Sequence, residues 1–225
     1  MPRNRAPKRI FIGIKTRPAL WHARRYYATL CACMRNRKST LLIEKDELVF
    51  NGKYIRVFRR HFRNRRTGMR GIWEMVQRKT YGRIVAIIAL TQKNEVILTK
   101  IYRVPVRSWV IECCAGLMDK KGESEKSVAR RELLEETGYA VSSLRELASG
   151  PFNAGLRDDE IVYYVGMDAR KVQEPQLENA EDIEVLTVPL KKLPQLLLHP
   201  PRGIRVDVKL LGMLYLLEKL KNNSR

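Results

Sequence analysis

The sequence is short of metal-binding residue types, of long apolar runs and of negative charge. Its 225 residues include only four cysteines and three histidines. Cys31 and Cys33 form a C-x-C pair and Cys113 and Cys114 are adjacent, but neither pair has the partners that a zinc site needs. The scarcity also excludes a disulfide scaffold, so the thiols read as buried or free in a reducing compartment. No apolar run approaches the ~20 residues that cross a bilayer, so no membrane partner is expected. Against 44 Lys and Arg stand 24 Asp and Glu, a formal charge of +20.

What is present is unevenly spread. Residues 1–43 hold eleven Lys and Arg and no acid, and the remaining excess is concentrated between Arg56 and Arg70, around RRHFRNRR. Residues 1–40 read as a basic extension, poorly ordered. The alternatives are a nucleic-acid tail, an organellar transit peptide, or a stretch upstream of a start at Met34. The compartment expected is the cytoplasm, or an organelle if the extension is a transit peptide. Apolar residues at 44% and charged residues at 30% describe a globular domain.

From Leu41 the chain punctuates itself. TLLIEKDELVF and KYIRVFRRHF read as two strands around a type I′ turn at Asn51-Gly52. With the strand-like IWEMVQRKT they give an N-terminal antiparallel β-arm over residues 41–80. RIVAIIALT is apolar on both faces, as a central strand is. VILTKIYRV and SWVIECCAG follow as strands. Ser124 caps a helix running to about Thr137, and Gly138 stops it. DEIVYYVGM and EDIEVLTVPL are further strands, KKLPQLLL a short helix. Val206, Leu210, Leu214, Leu217 and Lys221 mark one face of a final amphipathic helix, with Leu220 beside them. There is no internal repeat. The order predicts an α+β or α/β sandwich.

The scarce acid is concentrated where it costs most. In ARRELLEETGY, Glu132, Glu135 and Glu136 stand at i, i+3 and i+4 on the predicted helix, so they share a face. Arg131 is spaced to pair with Glu135, which leaves Glu132 and Glu136 together, with Glu123 arriving from the preceding loop. A solvated helix face is the plain alternative. Converging hard oxygen donors suit Mg²⁺ or Mn²⁺, which take a few carboxylates, water and substrate phosphates.

Glu123, seven residues, then Arg131-Glu132-Leu133-x-Glu135-Glu136-x-Gly138-Tyr139 resembles the Nudix hydrolase signature. One departure is visible. The signature's leading glycine sits five residues before its first glutamate, whereas six separate Gly116 from Glu123, so the loop has one extra residue that would shift the carbonyl of Ala115. The resemblance implies an α/β/α sandwich around a mixed sheet over residues 81–225, and metal-assisted hydrolysis of a diphosphate. It makes Glu132 and Glu136 the main metal ligands. Ala115 joins them through its carbonyl, and Glu135 shares the metal or holds Arg131. Arg131 and Glu123 orient the ligands.

Further stretches resemble the ADP-ribose and other ADP-sugar pyrophosphatases of that family. NGKYIRV and GIWEMVQR are similar to an arm whose aromatics sandwich adenine, often from both subunits of a homodimer. This implies substrate contacts by Tyr54, Trp73, Glu74 and Arg78. KIYRVPVRSWVIECCAG puts Arg103 near the phosphates, and EDIEVLTVPL puts Glu181 at a catalytic position. Asp158, Asp159 and Glu160 form a second acidic cluster, which makes Glu160 a rival to Glu181 as general base. Ala154 stands where ADP-ribose hydrolases carry a proline, Cys114 and Val104 where relatives also have proline. The substrate implied is ADP-ribose or a related nucleoside diphosphate sugar. The alternatives are dinucleoside polyphosphates, dinucleotide coenzymes or RNA 5′ ends, and a non-catalytic nucleotide-sensing module.

Overall fold

In a computed structural model that describes residues 38–222, the β-arm is a separate three-stranded antiparallel sheet: β1 (Leu41–Asn51), β2 (Ile55–Asn64) and β3 (Arg70–Arg78). The basic extension falls almost wholly outside the described residues. The hairpin turn lies later than Asn51-Gly52 predicts. Gly52 donates to the Ile55 carbonyl at 2.9 Å, so Lys53 and Tyr54 occupy the tip, and neither Asn51 nor Gly52 has the positive φ of a type I′ turn. Gly52 serves close packing instead, since a Cβ there would lie 2.6 Å from the Phe50 ring. Much of the basic stretch is answered inside the arm. Arg59 pairs with Glu74, Arg60 with Asp46 and Arg63 with Glu44.

The apolar run at residues 84–90 becomes β4 (Ile84–Thr91), buried from Ile84 to Leu90. It lies in a nine-stranded mixed sheet with β5 (Glu95–Arg103), β6 (Ser108–Glu112) and β7 (Cys114–Leu117). The SWVIECCAG stretch is therefore two strands, not one. β4 and β5 pair directly only at Ala89–Ile97 and Leu90–Val96 and then diverge. The chain crosses between them at Cys113, β6 pairing with β5 and β7 with β4.

After helix α1 (Glu125–Thr137) come β8 (Tyr139–Ala140), β9 (Ser143–Pro151) and β10 (Glu160–Lys171). β10 runs parallel to β4 and antiparallel to β9. β9 was not legible in sequence, because SLRELASGP lacks a regular polar–apolar alternation and none of its residues is fully buried. β11 (Ile183–Pro189) pairs with β5, the short helix α2 (Leu193–Leu198) follows, and β12 (Ile204–Val206) pairs with β6. The final helix α3 (Lys209–Asn222) begins after Val206, which belongs to β12. Its buried face holds Leu210, Leu214 and Leu217.

Strand alternation divides the core into two layers. Ile84, Ala86, Ile88 and Leu90 face α2 and α3, while Val85, Ile87 and Ala89 face Val128, Ala129 and Leu133 of α1. The result is the α/β/α sandwich expected, with the acidic helix on one face and the C-terminal helices on the other. Among the described residues no helix is long and apolar enough to cross a membrane.

Candidate active site

Both ends of α1 are fixed by local chemistry. The Ser124 hydroxyl accepts the Ser127 N–H at 3.2 Å. Gly138 takes φ 74° and donates to the Leu134 carbonyl at 2.8 Å. A side chain there would also strike the Gln173 carbonyl. Burial of Val128, Ala129 and Leu133 against the sheet sets the helix rotation, and that rotation carries Glu132 and Glu136 inward. Gly116 in β7 makes room, because a Cβ on it would fall 2.0 Å from the Glu132 carboxyl carbon.

Arg131 gathers the carboxylates around it. It lies 2.9 Å from Glu132, 3.0 Å from Glu135, 3.1 Å from Glu123 and 3.4 Å from Asp119. Burial alone would lower the arginine's pKa, but Glu123, Glu132 and Glu135 raise it above the ordinary value. Asp119 was not anticipated. It lies in the loop between β7 and α1, where Gly122 takes φ 84°. Ala115 lies within β7: the β4–β7 register runs unbroken from Ile84–Leu117 to Ile87–Cys114, with Ala115 opposite Ala86.

The two inward glutamates hold protons tightly. Burial pushes Glu132 up to about 7, Arg131 opposing and Glu135 and Asp119 adding to the rise. Burial likewise raises Glu136 to about 7. The Cys114 thiol hydrogen bond works against this, and the charges of Glu132 and Glu181 reinforce it. Despite the close Arg131 pair, desolvation therefore outweighs attraction at Glu132. Burial raises the Cys113 thiol to about 12 and Cys114 well above its ordinary value.

Among the described residues no three His, Cys, Asp or Glu side chains are grouped closely enough to hold a metal ion by themselves. The donor chemistry nevertheless fits a divalent cation. Two carboxylates one helical turn apart, Glu136 buried and Glu132 partly buried, are costly to ionise together, and a cation between them removes that cost. With only two such side chains, further oxygens must come from backbone, water or substrate.

On the α3 side of the sheet a cavity of about 350 Å³ reaches Ala115 and Gly116. Four cations line it: Arg78, Arg103, Arg157 and Lys209. Arg103 grips Glu112 through two hydrogen bonds of 2.8 and 2.9 Å. Arg78 is half-buried, and its Nε has no hydrogen-bond partner. Burial lowers its pKa, with Arg157 beside it adding to that and Asp159 opposing it.

The aromatic pair is not brought together within one chain. Trp73 lies opposite Arg60 in the arm, whereas Tyr54 is at the hairpin tip beyond the Ile55–Arg78 pair. Trp73 is 55% exposed and donates its indole N–H to the Gly155 carbonyl at 2.9 Å. Tyr54 is more exposed, with Lys53 over its ring. Trp73 lines a cavity of about 430 Å³ with Arg60, Met75, Ala154 and Glu160. Glu74 points to the other face of the arm and pairs with Arg59.

The second acidic cluster is dispersed. Asp158 accepts from Gln77 at 3.1 Å, Asp159 pairs with Arg157, and Glu160 faces the Trp73 cavity. Glu181 is half-buried, and its carboxylate accepts the Glu178 N–H at 2.9 Å. Of the two rivals, Glu181 is the one whose charge is felt at Glu136. Arg157 was missed in sequence. A lone arginine in a loop gives no signal until the loop is folded against β3, where Val76 donates to the Leu156 carbonyl at 2.9 Å.

The molecule is thus a layered sandwich with a carboxylate helix on one face of the sheet and, on the other, a cation-lined cavity that reaches β7. The chain belongs to the Nudix hydrolase family: the NUDIX domain matches residues 80–207, more than half of its length. It is 37% identical over 157 residues to putative nudix hydrolase 2 of Caenorhabditis elegans, covering 64% of this chain and 70% of that protein. It is 30% identical over 165 residues to the ADP-sugar pyrophosphatase of Mus musculus, covering 68% and 75%. In fold it is similar to an ADP compounds hydrolase, with a TM-score of 0.70, 20% identity, and coverage of 84% of this chain and 98% of the other.

Proposed function

We propose that this Nudix hydrolase cleaves the diphosphate of ADP-ribose or a related nucleoside diphosphate sugar, with Mg²⁺ (or Mn²⁺) as cofactor, giving a nucleoside monophosphate and a sugar phosphate. The observation that carries the reading is the pair of glutamates on α1, Glu136 buried and Glu132 partly buried, both raised to about 7, with Glu132 against Gly116 of β7, which also lines the arginine-rich cavity across the sheet. These two carboxylates, with the Ala115 carbonyl, would hold the metal. When bound, the metal neutralises charge on the diphosphate and lowers the pKa of a bound water. Glu135 and Glu123 fix Arg131, and Arg131 fixes Glu132. Arg78 and Arg103 receive phosphate oxygens. Glu181 is the general base, its carboxylate lying in the electrostatic reach of Glu136, with Glu160 as the rival to be tested.

Trp73 and Tyr54 stack on the base from the two subunits of a homodimer, since one chain separates them along the arm. The acid partners of Arg59, Arg60 and Arg63 reduce the free charge that an RNA-binding reading needs.

The test is a substrate panel with Mg²⁺, following release of nucleoside monophosphate from ADP-ribose, other ADP-sugars, GDP-sugars, dinucleotides and capped RNA. Binding of Mn²⁺ to the wild type and to Glu136→Gln is followed by electron paramagnetic resonance as a readout independent of turnover. Dinucleotides or capped RNA cleaved faster than every nucleoside diphosphate sugar in the panel would overturn the substrate class.

A further inference from the structure

Among the described residues three buried side-chain nitrogen or oxygen atoms lack a hydrogen-bond partner, and all three are in one place. They are Nε of Arg78, Nε of Arg157 and Oδ1 of Asp159. Buried polar atoms are almost always paired, so a cluster of exceptions marks a place where a partner is expected. The cluster is rigidly framed. Phe152 donates to the Asp159 carbonyl at 3.0 Å and closes the loop, Arg157 donates to Asn153 at 2.8 Å, and Val76 holds Leu156. Arg157 is 12% exposed and Asp159 7%. The Arg157 guanidinium also lies over the Phe152 ring at 5.0 Å.

The charges around the 350 Å³ cavity do not cancel. Arg103 has Glu112, Lys209 has Asp207 at 2.7 Å and Arg157 has Asp159, while among the described residues Arg78 forms no ion pair and its buried Nε has no hydrogen-bond partner. Two neighbouring guanidinium groups thus share a single carboxylate. Such a pair is matched to the oxygens of a phosphate. The carboxylates among the lining groups, Glu112 and Asp207, are acceptors suited to hydroxyl groups. The volume is close to the lower end of small-molecule sites, about 300 Å³, which suits one sugar phosphate rather than a whole dinucleotide.

We propose that Arg157, with Arg78 beside it, is a specificity-determining grip for the phosphate-bearing sugar half of the substrate, and that Asp159 is the counter-ion that holds Arg157 until that phosphate replaces it. The proposal rests on the reading of the chain as a diphosphate-sugar hydrolase, which it extends from the reaction to the half of the substrate that is recognised. Asp159 then competes with the ligand for Arg157, so removing its charge and removing the arginine act in opposite directions.

The probe is ribose 5-phosphate, titrated by calorimetry into the full chain without metal. Asp159→Asn is expected to bind it at least as tightly as wild type. The double variant Arg157→Gln with Asp159→Asn lacks the same ion pair and leaves no buried charge unpaired at that position. It is expected to bind roughly ten- to hundred-fold more weakly than the single variant, the loss of a charge-assisted fork. Equal affinity of the single and double variants, or weakening by Asp159→Asn alone, makes the pair a structural strut and overturns the grip. So does a wild type that fails to bind ribose 5-phosphate at millimolar concentration. Hydrolysis of ADP-ribose is measured in parallel. Turnover without Arg157-dependent binding overturns this inference alone, and such binding without turnover overturns the proposed substrate alone.

Discussion

Glu132 and Glu136 stand one turn apart on the buried side of α1, and each pays for its position in proton affinity. Their pKa values rise from 4.5 to about 7 in the folded chain. Between those values the folded state binds more protons than the unfolded one, so stability falls as pH rises. Their stabilising contribution is full below about pH 4.5 and lost as pH passes 7. In EDTA the melting temperature is therefore expected to drop between pH 5 and 8, and to drop less in Glu132→Gln and Glu136→Gln. A wild-type profile no steeper than the variants' would refute the burial argument. Catalysis is the opposite case, because Glu136→Gln removes the charge of a proposed metal ligand. A loss of roughly two orders of magnitude or more in kcat at saturating Mg²⁺ is expected, with the fold retained. Near-normal turnover would remove Glu136 from the metal site. For the base, Glu181→Gln should lower kcat about 10²–10⁴-fold with little change in KM. If Glu160→Gln shows that loss and Glu181→Gln does not, the assignment reverses.

The elements decide which of these side chains can meet. The caps of α1 were readable because Ser124 and Gly138 act locally, within one turn. Gly138 also has a tertiary constraint, since its missing side chain leaves space for the Gln173 carbonyl. Gly138→Ala combines left-handed strain with that clash, and a destabilisation of about 2 kcal/mol or more is expected by urea titration. A loss below about 1 kcal/mol, the ordinary scale of a helix glycine, would mean that the strand-side loop yields freely. The split of SWVIECCAG into β6 and β7 has a similar tertiary origin. The apolar residues say strand throughout, but only the divergence of β4 from β5 breaks the run at Cys113.

At the scale of the molecule, the arm holds Trp73 and Tyr54, the aromatics proposed to bind the base, apart from each other. Trp73→Ala should raise KM for ADP-ribose roughly ten-fold or more, the equivalent of one stacking contact of about 1–3 kcal/mol, and barely alter it for a substrate without a base. Mixing Trp73→Ala chains with Glu136→Gln chains tests sharing between subunits. If each site takes its tryptophan from the other chain, half the sites in a mixed dimer carry neither defect and activity returns. A monomer at working concentration, or confirmed subunit exchange without recovery, rules the shared site out.

The sequence by itself determined the acidic helix, its caps and the central strand. Each is encoded within a few residues: a cap acts over one turn, helical spacing fixes which glutamates share a face, and an unbroken apolar run has no polar side to expose. It also carried the Nudix signature, which named Arg131 and its glutamates before any contact was visible. Tertiary structure alone decided what those residues do to one another. Burial against the sheet, not spacing, raises Glu132 and Glu136, and strand pairing sets Ala115 opposite Ala86. Asp158, Asp159 and Glu160 look like one cluster along the chain, but the fold sends Asp158 to Gln77, Asp159 to Arg157 and Glu160 to the Trp73 cavity. The Arg78–Arg157–Asp159 group joins residues some eighty positions apart, because long-range pairing of β3 with the 151–159 loop brings them together. A short sequence window carries no record of that meeting.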